Sequence, residues 1–369
     1  MNTSSTNKAY INLYSSPLLR RIGAALIASS LCFQSAARAS GSDASVAAID
    51  CEPQFTPLAE YDHGVQSSTA VHPSGLVLEF HKTDNIFDSS LWYRLGTLDG
   101  PTVSWAGSRR SVANGYQPAV AVTKEGYVIL VFSSSPFKNE SDLSYHIGQI
   151  DPYGGNNQSI SWLTPSIRWD RGFNGSIAIN DDGVIVGVHE TGHASTGLYY
   201  RVGHFRNPPA CDFTIQWDSS HYGIQYEDGI NPQIAINNRN QVVEVHQVPG
   251  ESLLHYRRGS VNGGTINLGQ SRRYDDNAEH PAVALLDNGT VLAADSMTRR
   301  VNTRTGKLSL ANPDDIQWSA PVNLETAEWV GHPTLAATNK HAIVTCETSL
   351  APFSVAGTKS MARGRNRRA

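Results

Sequence analysis

No apolar run in this 369-residue chain is long enough to cross a bilayer as a helix. The longest, residues 22–33, has about a dozen positions where ~20 are needed. Charge is not in surplus either: a formal net charge of −4 gives no reason to expect a nucleic-acid partner. Only four cysteines occur, none at zinc-site spacing. No stretch between the apolar segments keeps a 3.6-residue period, which excludes a helical domain. What is abundant instead is turn and strand material: 31 Gly, 18 Pro, 14 Tyr and 7 Trp.

The first 39 residues read as an export signal. Lys8, Arg20 and Arg21 form a positive region, residues 22–33 an apolar core, and Ala37-Arg38-Ala39 a small-x-small cleavage site. The mature chain is expected from Ser40, with a short segment over 40–51, no transmembrane segment, and a secreted or periplasmic location. Cys51, Cys211 and Cys346 remain after cleavage. Export permits disulfides, and an odd count leaves one thiol over. Cys346 has either Cys51 or Cys211 as a candidate partner.

A module recurs through residues 52–357. Its marker is an apolar or small residue, four further residues, then glycine: L-W-Y-R-L-G ending at Gly96, L-S-Y-H-I-G at Gly148, L-Y-Y-R-V-G at Gly203, L-H-Y-R-R-G at Gly259, V-N-T-R-T-G at Gly306 and P-F-S-V-A-G at Gly357. The steps are 52, 55, 56, 47 and 51 residues. A hairpin precedes each marker, as in Ile234-Ala235-Ile236, a turn, and residues 242–246. A short strand ending in or near Trp follows each of the first five, as in Ile215-Gln216-Trp217. Four strands in about fifty residues make one blade of an all-β propeller. The expectation is six four-stranded blades, with seven as the rival count. The sixth unit ends after its third strand, at 352–357. The N-terminal strand Gln54-Phe55-Thr56 would supply its outer strand and close the ring, removing exposed edges. Residues 358–369 form a basic, disordered tail.

In such a meander the inter-blade connections and the ends of the second strands share one face. Two recurrent groups meet there. The connections carry Tyr61-Asp62, Trp169-Asp170, Tyr226 with Asp228, and Tyr274-Asp275. The second strands end in His81, His189 and His246. Aromatic, carboxylate and imidazole groups together suit a sugar: a ring packs on its apolar face, and polar groups bond its hydroxyls. The competing reading is structural, with Asp capping turns and Tyr covering blade edges. The Tyr-Arg pairs of the third strands read the same way, as bridges to neighbouring blades.

The pattern Y-D-x-G-x-x-P-x-(V/I)-A-(I/L)-N-x-x-G-x-V-V-E-V-H, then L-x-Y-R-V-G, then I-x-W, resembles secreted lectin-type β-propellers of bacteria and fungi. The resemblance implies a carbohydrate-binding protein with repeated shallow sites on one face and glycans, or a glycosylated surface, as partners. No catalytic residue, metal or cofactor is assigned. A protein-interaction propeller, with a protein partner, is the alternative. A sialidase-like glycosidase is a third reading, but its S-x-D-x-G-x-x-W box does not occur.

Overall fold

Each unit begins with a short run of small and apolar residues that reaches a turn and comes back. Gly75, Gly126, Gly183 and Gly289 sit in these turns with φ between 76° and 89°, a region closed to most side chains. The hairpins that result are antiparallel, and two further strands complete each meander. The computed structural model describes residues 20–28 (backbone), 54–55, 59–99, 102–151, 158–192, 195–205, 213–218, 222–325, 329–338 and 342–349.

Among these residues the strands group into successive antiparallel meanders, numbered below as blades, and several sheets gain a further strand from a connection. Blade one is Val65–Val71, Leu76–Lys82, Ser90–Asp99 and Thr102–Asn114. Blade two is Tyr116–Val122, Tyr127–Ser133, Asp142–Ile150 and Ile160–Trp162. Blade three takes its inner strand from the second half of Ile167–Ile179, then Val184–Thr191, Gly197–Phe205 and Ile215–Trp217. Blade four is Ile230–Ile236, Gln241–Gln247, Leu253–Asn262 and Thr265–Leu268. Blade five is Glu279–Leu285, Thr290–Met297, Arg300–Leu308 and Ile316–Trp318. The connection leaving a blade first runs beside its outer strand, against the same third strand. Ile224–Asp228 does this on blade three and Arg272–Asp276 on blade four.

Blade six differs from expectation. Trp329–Ala337 and Ala342–Ser349 are its first two strands. The third is Arg20–Ala28, residues that the sequence assigns to the leader, outside the fold. Gln54–Phe55 and the connection Ala59–His63 pair with that strand. The stretch 352–357, expected in this place, lies outside the described residues, as do Cys51, Cys211 and the basic tail. Cys346 is fully buried with a free thiol, and burial pushes that thiol up to about 12.

The six inner strands pack side by side, each against the next and the last against the first. The second strands are covered on both sides, so Leu76–Lys82 and Tyr127–Ser133 are buried at every residue. Each apolar core lies between two blades. Leu78, Phe80 and Leu91 of blade one meet Val128, Leu130 and Phe132 of blade two. Val71 and Val77 of blade one meet Ala336 and Ile343 of blade six.

The periodic marker glycine has a steric cause. Gly96, Gly148, Gly203 and Gly306 stand directly opposite Trp105, Trp162, Trp217 and Trp318 of the outer strand. The indole covers the glycine: a Cβ on Gly148 would lie 2.5 Å from Ile160 Cγ2 and 2.9 Å from Trp162 Cε3. Gly148→Val therefore overpacks the blade and should cost about 2 kcal/mol, read as a lowered urea midpoint at unchanged m-value.

Candidate functional site

The aromatic residue of each connection turns inward, into the seam between two blades. Trp169 and Tyr274 are buried, and Tyr61 and Tyr226 half-buried. Tyr61 stacks on Trp105 at 4.5 Å, Trp169 on Trp217 at 5.0 Å and Tyr274 on Trp318 at 5.3 Å. The arginine of the next blade's third strand reaches back to clamp the connection. Arg94 donates to the carbonyl of Tyr61 and pairs with Asp62 at 3.5 Å. Arg201 donates to the carbonyl of Trp169. Arg304 donates to the carbonyl of Tyr274 at 2.7 Å and to Asp275.

In unit four this part is played by Glu227, bonded to Arg257 at 2.7 Å, and not by Asp228, which is exposed. The reason is spacing: the clamped carboxylate follows the aromatic directly, and Asp228 is one residue too late.

The histidines lie in the same seams. His81, His189 and His246 are 0%, 2% and 1% exposed. His81 Nδ1 is 2.9 Å from Glu79 Oε2, and His246 Nδ1 is 3.0 Å from Glu244 Oε2. Burial opposes charge on His246, but Glu244 outweighs it and holds the imidazole above its ordinary pKa. His189 meets Asp170 at 3.3 Å and the carbonyl of Glu190 at 2.8 Å. Burial would raise Asp170, yet the His189 contact leaves it below the usual carboxylate range.

Neighbouring residues follow these choices. Tyr226 donates its hydroxyl to Glu244 at 2.9 Å. Gly187 stands at the equivalent place in blade three, where a Cβ would lie 2.8 Å from the larger Trp169. The register puts Phe132 of blade two and Cys346 of blade six at the histidine position, and Asp295 in blade five.

The structure thus gathers Tyr61, Asp62, His81, Trp169, Asp170, His189, Tyr226, His246, Tyr274 and Asp275 seam by seam. Of these, Trp169, Asp170, Tyr274 and the three histidines are buried, and Tyr61, Asp62, Tyr226 and Asp275 are half-buried.

A second ring was not found from the sequence. Gln66, Gln117, Asn174, Asn231, His280 and His332 occupy equivalent bulges in the six inner strands, all with φ between 45° and 57°. At five of these bulges the N–H reaches a side chain of the neighbouring blade. Gln117 N donates to Gln66 Oε1 at 2.9 Å, Asn174 N to Gln117 Oε1 at 3.1 Å, and Asn231 N to Glu190 Oε1 at 3.0 Å. His280 N reaches Gln247 at 3.5 Å, and the rings of His280 and His332 meet at 3.9 Å. Gln66 N donates to Glu347, joining blade one to blade six. Burial, and then His332, hold His280 well below the ordinary imidazole value. The signal was present in five of the six: an amide or imidazole residue two positions after Gly64, Gly115, Gly172, Gly229 and Ala278.

The second-to-third-strand loops of blades one and two stand on this face. They carry Ile86, Phe87 and Phe137, which are 67%, 92% and 67% exposed. Lys138, beside Phe137, crosses to Glu190 of blade three at 2.6 Å. Lys82 donates to the carbonyls of Thr83 and Asn85. Among the described residues, the large exposed apolar groups of the second-to-third-strand loops belong to blades one and two.

Asp295 is a seam carboxylate raised strongly, to about 7, by burial and then by Asp275. Asn302 donates to its Oδ1 at 2.7 Å, while Oδ2 is buried without a partner among the described residues. A folded-state pKa above the unfolded value of 3.8 means the folded protein holds this proton more tightly, so stability falls as pH rises from about 4 to 7. Asp295→Asn should remove that fall. Its urea midpoint should match the parent near pH 4 and exceed it increasingly up to pH 7.

No protein-family profile matches the chain, and no curated protein matches it. Among solved structures, a protein of unknown function from Dyadobacter fermentans is similar over 78% of this chain and 95% of its own, at 11% identity and a TM-score of 0.50. A Hadza microbial sialidase is similar over 77% of this chain, at 12% identity and a TM-score of 0.53; the likeness spans 65% of the sialidase chain. At these identities the likeness is one of fold, and the fold is a β-propeller.

Proposed function

We propose that this propeller binds carbohydrate on the face bearing the bulge ring, through the loops of blades one and two. The observation that carries the reading is the exposure of Phe87 and Phe137 beside a surface rich in amide, carboxylate and ammonium groups. An aromatic ring held in water has apolar area to cover, and the C–H face of a pyranose covers it while its hydroxyls bond the polar neighbours. The sialidase likeness in fold is compatible with a carbohydrate ligand. The repeated seam residues serve this function indirectly, by holding the blades at fixed angles beneath the loops. Export from the cell, expected from the leader, would place the protein where glycans are displayed. Ile86 beside Phe87 favours a second reading, a protein partner on the same patch.

The test is a glycan-array screen at low and at ~0.5 M salt, where surface electrostatics are screened. Discrete, salt-resistant binding to one glycan class is expected. Phe137→Ala should weaken it about tenfold, the value of one aromatic contact, and Asp228→Ala should leave it unchanged. A blank array from folded protein, or full binding by Phe137→Ala, would reject this site, and a pull-down would then test the protein-partner reading.

A further inference from the structure

Blade six has the standard register but not the standard residues in its third strand. In blades one to four the residues facing Phe80, Val131, Val188 and Val245 are Tyr93, Tyr145, Tyr200 and Tyr256. Three positions later each has its marker glycine. In blade six Ala24 faces Thr345, Ala25 faces Val344, and Ile27 faces both Ala342 and Phe55. The strand Arg20–Ala28 therefore supplies hydrogen bonds in register, with Ala24, Ala25 and Ile27 where the repeat has tyrosine, arginine and the marker glycine. An aromatic outer-strand residue stands opposite glycine in four other blades; Phe55 stands opposite isoleucine.

The chain carries a second segment with the right spacing. In blade five, Met297 and Arg300 pair across a two-residue loop, and Gly306 faces Val291, fifteen positions earlier. Gly357 follows Ala342 by the same fifteen positions. A hairpin of blade-five length would thus put 351–357 in the third-strand place, with Gly357 facing Ala342 and Phe55. This place cannot stay vacant without cost. Ala342–Ser349 would present a free row of backbone donors and acceptors, and Cys346, Val344 and Glu347, all at 0% exposure, would lose cover on that side.

We infer that the third-strand place of blade six has two donors within one chain: Arg20–Ala28 while the leader is attached, and residues 351–357 once it is removed after Ala39. The leader strand is a placeholder that completes the sheet. The C-terminal segment is the strand whose glycine matches the repeat. The exchange is between strands of the same direction and register, so the other five blades are unaffected.

The experiment compares the chain from Met1 with the chain from Ser40 by hydrogen exchange and thermal unfolding. The Ser40 chain should unfold cooperatively, with the amides of 351–357 protected at least ~100-fold more than in the Met1 chain. Gly357→Val should lower the unfolding midpoint of the Ser40 chain by at least about 3 °C and leave that of the Met1 chain unchanged. An unfolded Ser40 chain would overturn the inference. So would a folded Ser40 chain whose residues 351–357 exchange freely, or an equal effect of Gly357→Val on both chains.

Discussion

The structure depends on a pair of residues, tyrosine then arginine, in the third strands of blades one, three and four: Tyr93-Arg94, Tyr200-Arg201 and Tyr256-Arg257. The tyrosine reaches forward. Tyr93, Tyr145, Tyr200 and Tyr256 each accept a hydrogen bond from the backbone N–H of Ile160, Ile215, Ile266 and Ile316, the residues that open or lie in the outer strand of the next blade, at 3.1 to 3.4 Å. The arginine reaches back to the connection that lies on the previous blade. One dipeptide thus ties three consecutive blades. Blades share no sheet ladder of their own across most seams, so these side-chain bonds and the apolar cores between them set the angle from one blade to the next. A buried arginine with its carboxylate is costly to break from one side only, which explains why the pair comes and goes as a unit. Blade two has Tyr145-His146, and the connection entering it lacks the aromatic–carboxylate pair.

Much of this was legible in the residues. The marker glycine, the Trp that ends the outer strand and the Asn-Gly or Asp-Gly turns fix strand count and order, because each answers a local steric demand. The outer strand Gln54–Phe55 in the last blade was likewise readable from its likeness to other outer strands. The third strand of that blade was not. Residues 20–28 read as a leader from their composition, and a strand with no tyrosine, arginine or glycine at the marker positions gives no sign of its register.

The candidate site was legible in part. Sequence spacing located the face to which Asp170, His189 and their equivalents belong, but not their depth. Whether a tyrosine points outward or into a seam depends on the neighbouring blade, a contact some fifty residues away. The shift from Asp228 to Glu227 is of the same kind: two adjacent carboxylates look equal until Arg257 chooses one. The bulge ring was not legible in the sequence because Gln, Asn and His are unlike by type and alike only in backbone conformation. Phe87 and Phe137 lie in loops that follow no repeat, so periodicity gives no sign of them.

Blade six has a temporal consequence. Arg20 and Ser349 are partners in register although 329 positions separate them. A ribosome delivers the first long before the second. Five blades can assemble as they emerge, but the ring has no closed form until nearly the whole polypeptide is free. Until then, the inner strands of blades one and six each lack a neighbour. The interval between synthesis of the first blade and arrival of the last is when this protein is open to proteases, to chaperones and to wrong partners.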